Sequence, residues 1–459
     1  MSKYKGFYRF AARKRQTKMQ ATQIIALVFL GIILIGTALL SLPAASRNGQ
    51  SAGFLTALFT ATSSTCVTGL ILADTWTQWS GFGQVVILCL IEIGGLGFMS
   101  AASLIFFLFR RKIGLRQRMV IAQALSLNEI EGVVRLQKLV LRGSLLIQLF
   151  GATILTLHFL PDFGLRKAAI WGVFHAISAY CKAGFDIFGS MEAGKGMILF
   201  NDDPVVCITI MALIIVGGLG FFVWEEIASF HKRKKLSVYT KLVLAATGFL
   251  ILFGGGMYML LEWNNPETLG TMPVWQKILN AFFQSVTLRT AGFASIDQAQ
   301  LTEAGKGFGT VLMLIGGSSG STAGGIKTVT FVVLLLFAFA KMRGRSSVSV
   351  FHRTIPNEKV TDAMTIGTIM IGLCVFGAIV ISATSPVGFV DGLFESASAL
   401  ATVGLTAGVT TKLSLAAKLL MIIFMYFGRV GVLTISLGFL MGDKAVQRYQ
   451  YAYTNLLIG

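Results

Sequence analysis

Four short segments hold the residues with the clearest chemical potential: LFTATSSTCVTGL (58–70), FHAISAYCKAGF (174–185), FFQSVTLRTAGF (282–293) and LFESASALATVGL (393–405). Each passes through Ser or Thr and ends in Gly followed by Leu or Phe. The final glycines, Gly69, Gly184, Gly292 and Gly404, lie 115, 108 and 112 residues apart. Glycine allows unusual dihedrals and close backbone approach. A short helix followed by an extended glycine turn presents carbonyls, and four such turns around one axis present rings of them. Carbonyl rings can replace the hydration shell of K⁺, and the negative ends of four short helices also favour a cation. The candidate ion-binding positions are therefore Val67, Thr68 and Gly69, then Lys182, Ala183 and Gly184, then Thr290, Ala291 and Gly292, then Thr402, Val403 and Gly404. Neighbouring side chains such as Thr65, Thr287 and Ser398 are small and hydroxylic, and none of the motifs supplies the carboxylate ring of a Ca²⁺-type filter. A monovalent cation such as K⁺ is the expected cargo; no bound cofactor and no catalytic residue is expected.

Irregular backbone of this kind survives in a membrane only where it is buried in protein or lines a water-filled path. The rest of the chain supplies that setting. Of its 459 residues 54% are hydrophobic and 13% charged, with a mean hydropathy of +0.75, against about 25% charged in a soluble domain. The fold expected is an all-α integral membrane protein in the lipid bilayer. In each unit a long apolar segment (24–42, 136–160, 240–262, 361–383) precedes a glycine motif too short to span, and a second long segment (83–109, 204–229, 307–340, 415–441) follows. About 20 apolar residues cross the hydrocarbon core, so the reading is four tandem helix–pore-helix–helix repeats, with eight transmembrane helices around a central ion pore. The divisions are a basic N-terminus (1–23), repeats at 24–115, 116–235, 236–345 and 346–445, and a C-terminal tail (446–459).

The formal charge of +19 falls in blocks between the repeats, as in Arg110–Arg111–Lys112 and Lys232–Arg233–Lys234–Lys235. By the positive-inside rule these blocks and both termini are cytoplasmic. Asp74, Asp186, Asp202, Asp203, Glu262 and other acids lie within the repeats and face outward. This alternation argues against nucleic acid and gives all four units one orientation, as in parallel repeats about a membrane-normal axis. No cleavable signal peptide is evident. Five cysteines without a CxxC pair read as small buried apolar residues. An intramembrane enzyme would cluster His, Asp or Glu, and here they are scattered.

Residues 316–328, GGSSGSTAGGIKT, interrupt the second long segment of repeat three. The spacing is wrong for a phosphate loop, because Ile326 separates Gly325 from Lys327. Gly316, Gly317, Gly320, Gly324 and Gly325 would unwind the helix, with Ser318 and its neighbours satisfying freed backbone groups. The loop would enter the cavity below the filter, Lys327 would mark the return to helix, and only this repeat carries such a break. Arg429, mid-way along the last helix, needs acceptors at that depth, and the loop's carbonyls supply them.

The motifs TCVTGL (65–70), CKAGF (181–185), LRTAGF (288–293) and ATVGL (401–405) resemble those of the Trk/Ktr/HKT superfamily of potassium transporters. The GGLGF pairs at 94–98 and 217–221, the loop 316–328 and GRVG at 428–431 extend the likeness along nearly the whole chain. Without an extra hairpin before the first repeat, the chain is most similar to the Ktr-type membrane subunit. The resemblance implies a single-file K⁺ filter, a gate formed by 316–328 with Arg429, a plasma-membrane homodimer, and a ring of cytosolic nucleotide-binding (RCK-type) regulatory subunits. Glycine at all four filter positions resembles K⁺-selective members; the alternative is a Na⁺-conducting or Na⁺-coupled member. Lys182 departs from the family, which usually has asparagine there, and Glu92 stands where glutamine is common. At similar depth, two arrangements are open: Glu92 and Lys182 pair in support of the filter, or Lys182 snorkels toward the outer water. Arg289 is expected to tie the filter's outer end to an acid, and His175 to be a hydrogen-bonded packing residue.

Overall fold

The computed structural model describes residues 21–97 and 133–431. Repeat boundaries at 115 and 116, the terminal segments 1–20 and 446–459, and the basic block at 110–112 lie outside them. The described chain is helical apart from a hairpin of two short strands, Ser349–Val350 and Arg353–Thr354.

Each unit opens with a long apolar helix: Ala21–Leu40, the first part of Val133–Cys181, Val238–Glu262 and Asn357–Thr384. A shorter helix ending at a glycine motif follows: Phe54–Cys66, the part of Val133–Cys181 beyond its break at Gly164, Val274–Thr287 and Phe389–Leu400. The third helix of each unit starts at a side-chain cap, Ser80, Asp203, Thr302 or Ser414, whose oxygen accepts from a backbone N–H of the first turn. Caps of this type stabilise a helix end by about 1 kcal/mol. They fix where the chain turns back into the bundle.

Packing around the bundle is cyclic. The helix after each motif lies against the next unit: Gly81–Leu96 on Val133–Cys181, Pro204–Leu219 on Val274–Thr287, Glu303–Leu314 on Phe389–Leu400, and Leu415–Val430 back on Phe54–Cys66. The long first helices turn apolar side chains outward, Phe150 and Leu260 being 70% and 78% exposed. Such a surface suits lipid rather than water.

The second long segments expected after the motifs are not continuous helices among the described residues. Among the described residues four helices are individually long and apolar enough to cross a membrane, and the pair Pro204–Leu219 and Phe221–His231, bent by 95°, makes a fifth. The physical reason is that the helices after the motifs break at glycines in positive φ. Gly97 (φ 82), Gly220 (φ 88) and Gly431 (φ 94) end their helices, and residues 315–327 interrupt the third. The break in repeat three is longer than the one at Gly220, where a helix resumes at once.

Candidate ion pathway

The four motifs share one backbone geometry. Val67, Lys182, Thr290 and Thr402 all adopt left-handed φ values, 58°, 64°, 63° and 54°. That conformation is strained for any residue with a Cβ, and more so for the β-branched Val and Thr. It lets the next N–H turn back onto the helix end: Thr68 N donates to Ser63 O (2.8 Å), Ala183 N to Ser178 O (2.7 Å) and Val403 N to Ser398 O (2.8 Å), while Ala291 N reaches Thr287 O (2.9 Å). Hydroxyls behind the turns clamp them further. Ser63 and Ser398 accept from Gly69 N and Gly404 N, both at 3.0 Å. Ser178 and Thr287 donate to Phe185 O (2.7 Å) and Phe293 O (2.6 Å).

The glycines then meet around an axis. A Cβ added to Gly184 would lie 2.8 Å from Ala291 O, and one on Gly292 would lie 2.5 Å from Val403 O. At Gly69 it would strike Ala183 O, and at Gly404 it would strike Thr68 O. Each glycine faces the carbonyl that precedes the next unit's glycine, and the series closes from the fourth unit to the first. Only glycine leaves room for backbones this near one another. The hydroxyls of Thr65, Thr68 and Thr290 are buried without a partner among the described residues.

Residues 315–328 lie against the C-terminal ends of the second and fourth motif helices. Ile315 and Ile326 bridge, with Gly316 N donating to Ile326 O (2.8 Å) and Ile326 N to Leu314 O (3.0 Å), which pins the loop's neck. Its tip docks on the hinge of the second unit. Ser318 N donates to Gly218 O (3.1 Å), Thr322 N to Gly217 O (3.3 Å), and Phe221 N returns a bond to Gly320 O (3.0 Å). Thr322 Oγ1 donates to Tyr180 O (3.2 Å), four residues before the filter glycine Gly184. Gly324 packs against Ala401 O and Thr402, so the loop lies directly against the fourth glycine motif. Lys327 donates to Ala323 O (2.6 Å) and the helix Thr328–Met342 follows it.

Arg429 occupies the last turn of Leu415–Val430 rather than the middle of a helix. Its guanidinium donates to Thr322 O in the loop and to Gly94 O and Gly95 O of the first unit, the last at 3.0 Å. It therefore joins three units through backbone acceptors.

The Glu92–Lys182 pair does not form. Lys182 Nζ donates to Arg289 O at 2.7 Å, whereas Glu92 accepts from Gln148 Nε2 (3.2 and 3.0 Å) and from Cys181 Sγ (3.3 Å). In the left-handed turn the Lys182 side chain points away from Glu92 and toward the third pore helix. Lys182 is nevertheless buried, at 2% exposure, and it ties the second filter strand to the third. Arg289 also differs from expectation. It bonds no acid, reaching instead Thr247 Oγ1 (3.4 Å) and Thr328 Oγ1 (3.3 Å) beside the loop. His175 Nδ1 pairs with Trp171 O (2.7 Å), its Nε2 accepts from Ile187 N (3.3 Å), and its ring stacks on Phe188, as a packing residue should. Four of the five cysteines are buried; Cys89 is exposed. The residues reading of the sequence passed over are Gln148, the true partner of Glu92, and the hinge carbonyls of Gly217 and Gly218. A backbone acceptor leaves no signature in residue type.

Lys182→Met keeps the apolar stem and removes the tether. Leaving a buried carbonyl unpaired costs about 1–3 kcal/mol, so the variant is expected to melt earlier in detergent and to discriminate less between K⁺ and Na⁺. Thermal midpoint and reversal potential measure the two effects; if neither moves, the tether has no role.

A family model described as Cation transport protein (TrkH) matches residues 3–448. The potassium/sodium uptake protein NtpJ of Enterococcus hirae is 40% identical over 452 residues, covering 97% of this chain and 99% of that protein. Ktr system potassium uptake protein B of Bacillus subtilis is 38% identical, covering 93% and 94%. The crystal structure of the potassium transporter TrkH from Vibrio parahaemolyticus superposes with a TM-score of 0.70 over 94% of this chain and 87% of its own, at 17% identity, a likeness of fold. The chain therefore belongs to the TrkH cation transport protein family, whose members are multi-pass membrane transporters and not enzymes.

Proposed function

We propose that this chain is the pore-forming subunit of a potassium uptake system in the plasma membrane, with its termini in the cytoplasm. The observation that carries the reading is the closed series of glycine-to-carbonyl approaches among Gly69, Gly184, Gly292 and Gly404. Four extended strands converging this closely direct carbonyl dipoles to one axis, where they replace water around a monovalent cation without a carboxylate. Thr65, Thr68 and Thr290 add hydroxyl oxygens near that path. In this reading the ion is cargo rather than a resident metal.

In this reading the loop 316–325 is the gate and Arg429 its latch. The loop lies across the inner end of the filter, held by hydrogen bonds that can break together. The functional unit is a homodimer on a ring of cytosolic nucleotide-binding subunits; the relatives that belong to Ktr systems support this assembly. Conduction of Na⁺ is the second reading, favoured by the relative that takes up both ions.

Expression in cells lacking their own K⁺ uptake tests the proposal. Growth at low K⁺ is expected with this chain and improves when a cytosolic partner is supplied. No growth in either case, with the protein present in the membrane, overturns it. Reversal potentials in mixed K⁺ and Na⁺ separate the two ion readings.

A further inference from the structure

A groove of about 540 Å³ opens at the rim of the bundle between the first and second units. Three cations, Arg47, Arg166 and Lys167, line it together with Trp76, Phe163 and Trp171, and no acidic side chain does. The cations are ordered on the aromatics. Arg47 lies 4.2 Å from the Trp76 ring centre and donates to Trp76 O at 2.9 Å. The Lys167 ammonium lies 4.4 Å over Trp171 and 4.9 Å from Phe163.

The groove's depth follows from the helix ends beside it. Gly81 begins one helix and Gly164 breaks another, and both line the groove. It therefore sits at a bilayer boundary, where Trp and basic side chains collect in membrane proteins. Leu165 and Ile170 on its wall are exposed, as lipid-facing residues are.

Two independent features call for an anion. Arg166 and Lys167 stand in the first turn after Gly164, at the positive end of the second pore helix. Cations there are unfavourable, and an anion is favoured by both the side chains and the free N–H groups. Separately, Trp171 is fully buried, lines the groove, and its indole N–H has no acceptor among the described residues. An anionic headgroup answers the first, and its oxygens offer the indole an acceptor.

The geometry points to a site for one anionic phospholipid, its phosphate held by Arg47, Arg166 and Lys167 and its acyl chains lying along Leu165 and Ile170. The apolar wall, open to the bilayer, selects a lipid over free phosphate. With the orientation proposed above this is the outer leaflet, but binding in detergent does not depend on that orientation or on the filter.

Purified, delipidated protein titrated with phosphatidylglycerol or phosphatidylcholine, with bound lipid counted by native mass spectrometry, tests the site. Phosphatidylglycerol is expected to bind about tenfold more tightly or better. The triple variant Arg47→Ala, Arg166→Ala, Lys167→Ala is expected to bind both lipids alike. Should it fail to fold, Lys167→Gln alone is expected to lose about fivefold. Equal affinity of the wild type for the two lipids overturns the proposal. So does a charge variant that keeps the wild-type preference, or inorganic phosphate displacing phosphatidylglycerol at matched concentration.

Discussion

Arg429→Ala is expected to raise cation flux about tenfold or more while leaving the preference among monovalent cations in place. The guanidinium bonds one carbonyl in the loop and two in the first unit. Hydrogen bonds to a charged group contribute about 1.5–3 kcal/mol each, so losing the latch weakens the closed arrangement by a few kcal/mol. The loop's bonds to the second unit, through Ser318 and Thr322, are between neutral groups. Flux rises until the open state is fully populated, which caps the gain. Selectivity is expected to stay because Arg429 bonds Thr322, Gly94 and Gly95 and no residue of the four filter triplets. Arg429→Lys should fall between wild type and alanine, since a compact ammonium cannot span carbonyls of two units as a planar fork can. Rubidium uptake into proteoliposomes measures the change. Flux that stays at the wild-type level both in Arg429→Ala and after a deletion within 316–325 would remove the gate from this loop.

How much of this could be read from the chain depends on the kind of contact. The register of Val67, Lys182, Thr290 and Thr402 is legible because it rests on local spacing, two residues before each glycine, and all four adopt the same left-handed turn. The cyclic packing follows from repetition: one rule applied four times closes a ring. The partner of Lys182 is not legible. Depth along a helix places Glu92 and Lys182 at one level, but the direction of a side chain leaving a left-handed turn decides whether they meet, and it sends Lys182 to Arg289 O. The same holds for Arg289, whose acceptors are two threonine hydroxyls from distant segments. The sharp bend at Gly220 was hidden because GGLGF at 217–221 reads as an apolar helix with small residues. Its role emerges only when the loop from the third unit docks on the carbonyls that the bend frees.

Substituting a filter glycine should have the largest effect of all. Gly404→Ala is expected to abolish K⁺ uptake in a protein that still inserts in the membrane. Two costs act together. Gly404 has φ 98, and a left-handed conformation costs an L-residue about 1–2 kcal/mol. More decisively, the new methyl would occupy the place of Thr68 O and lie 3.0 Å from Gly69 Cα. Neither neighbour is a flexible side chain that can swing aside; both are backbone of the first unit's filter strand. The strand must move, and with it the carbonyl that closes the ring between the fourth and first units. A carbonyl displaced by even a fraction of an ångström no longer matches its three counterparts around an ion that must shed its water. Gly53→Ala separates the two costs: Gly53 has φ 82 but nothing within 4 Å of the added methyl. It is expected to lower stability slightly and leave K⁺ uptake intact. If Gly404→Ala transports like Gly53→Ala, strain alone is at work and the carbonyls do not form the ion path.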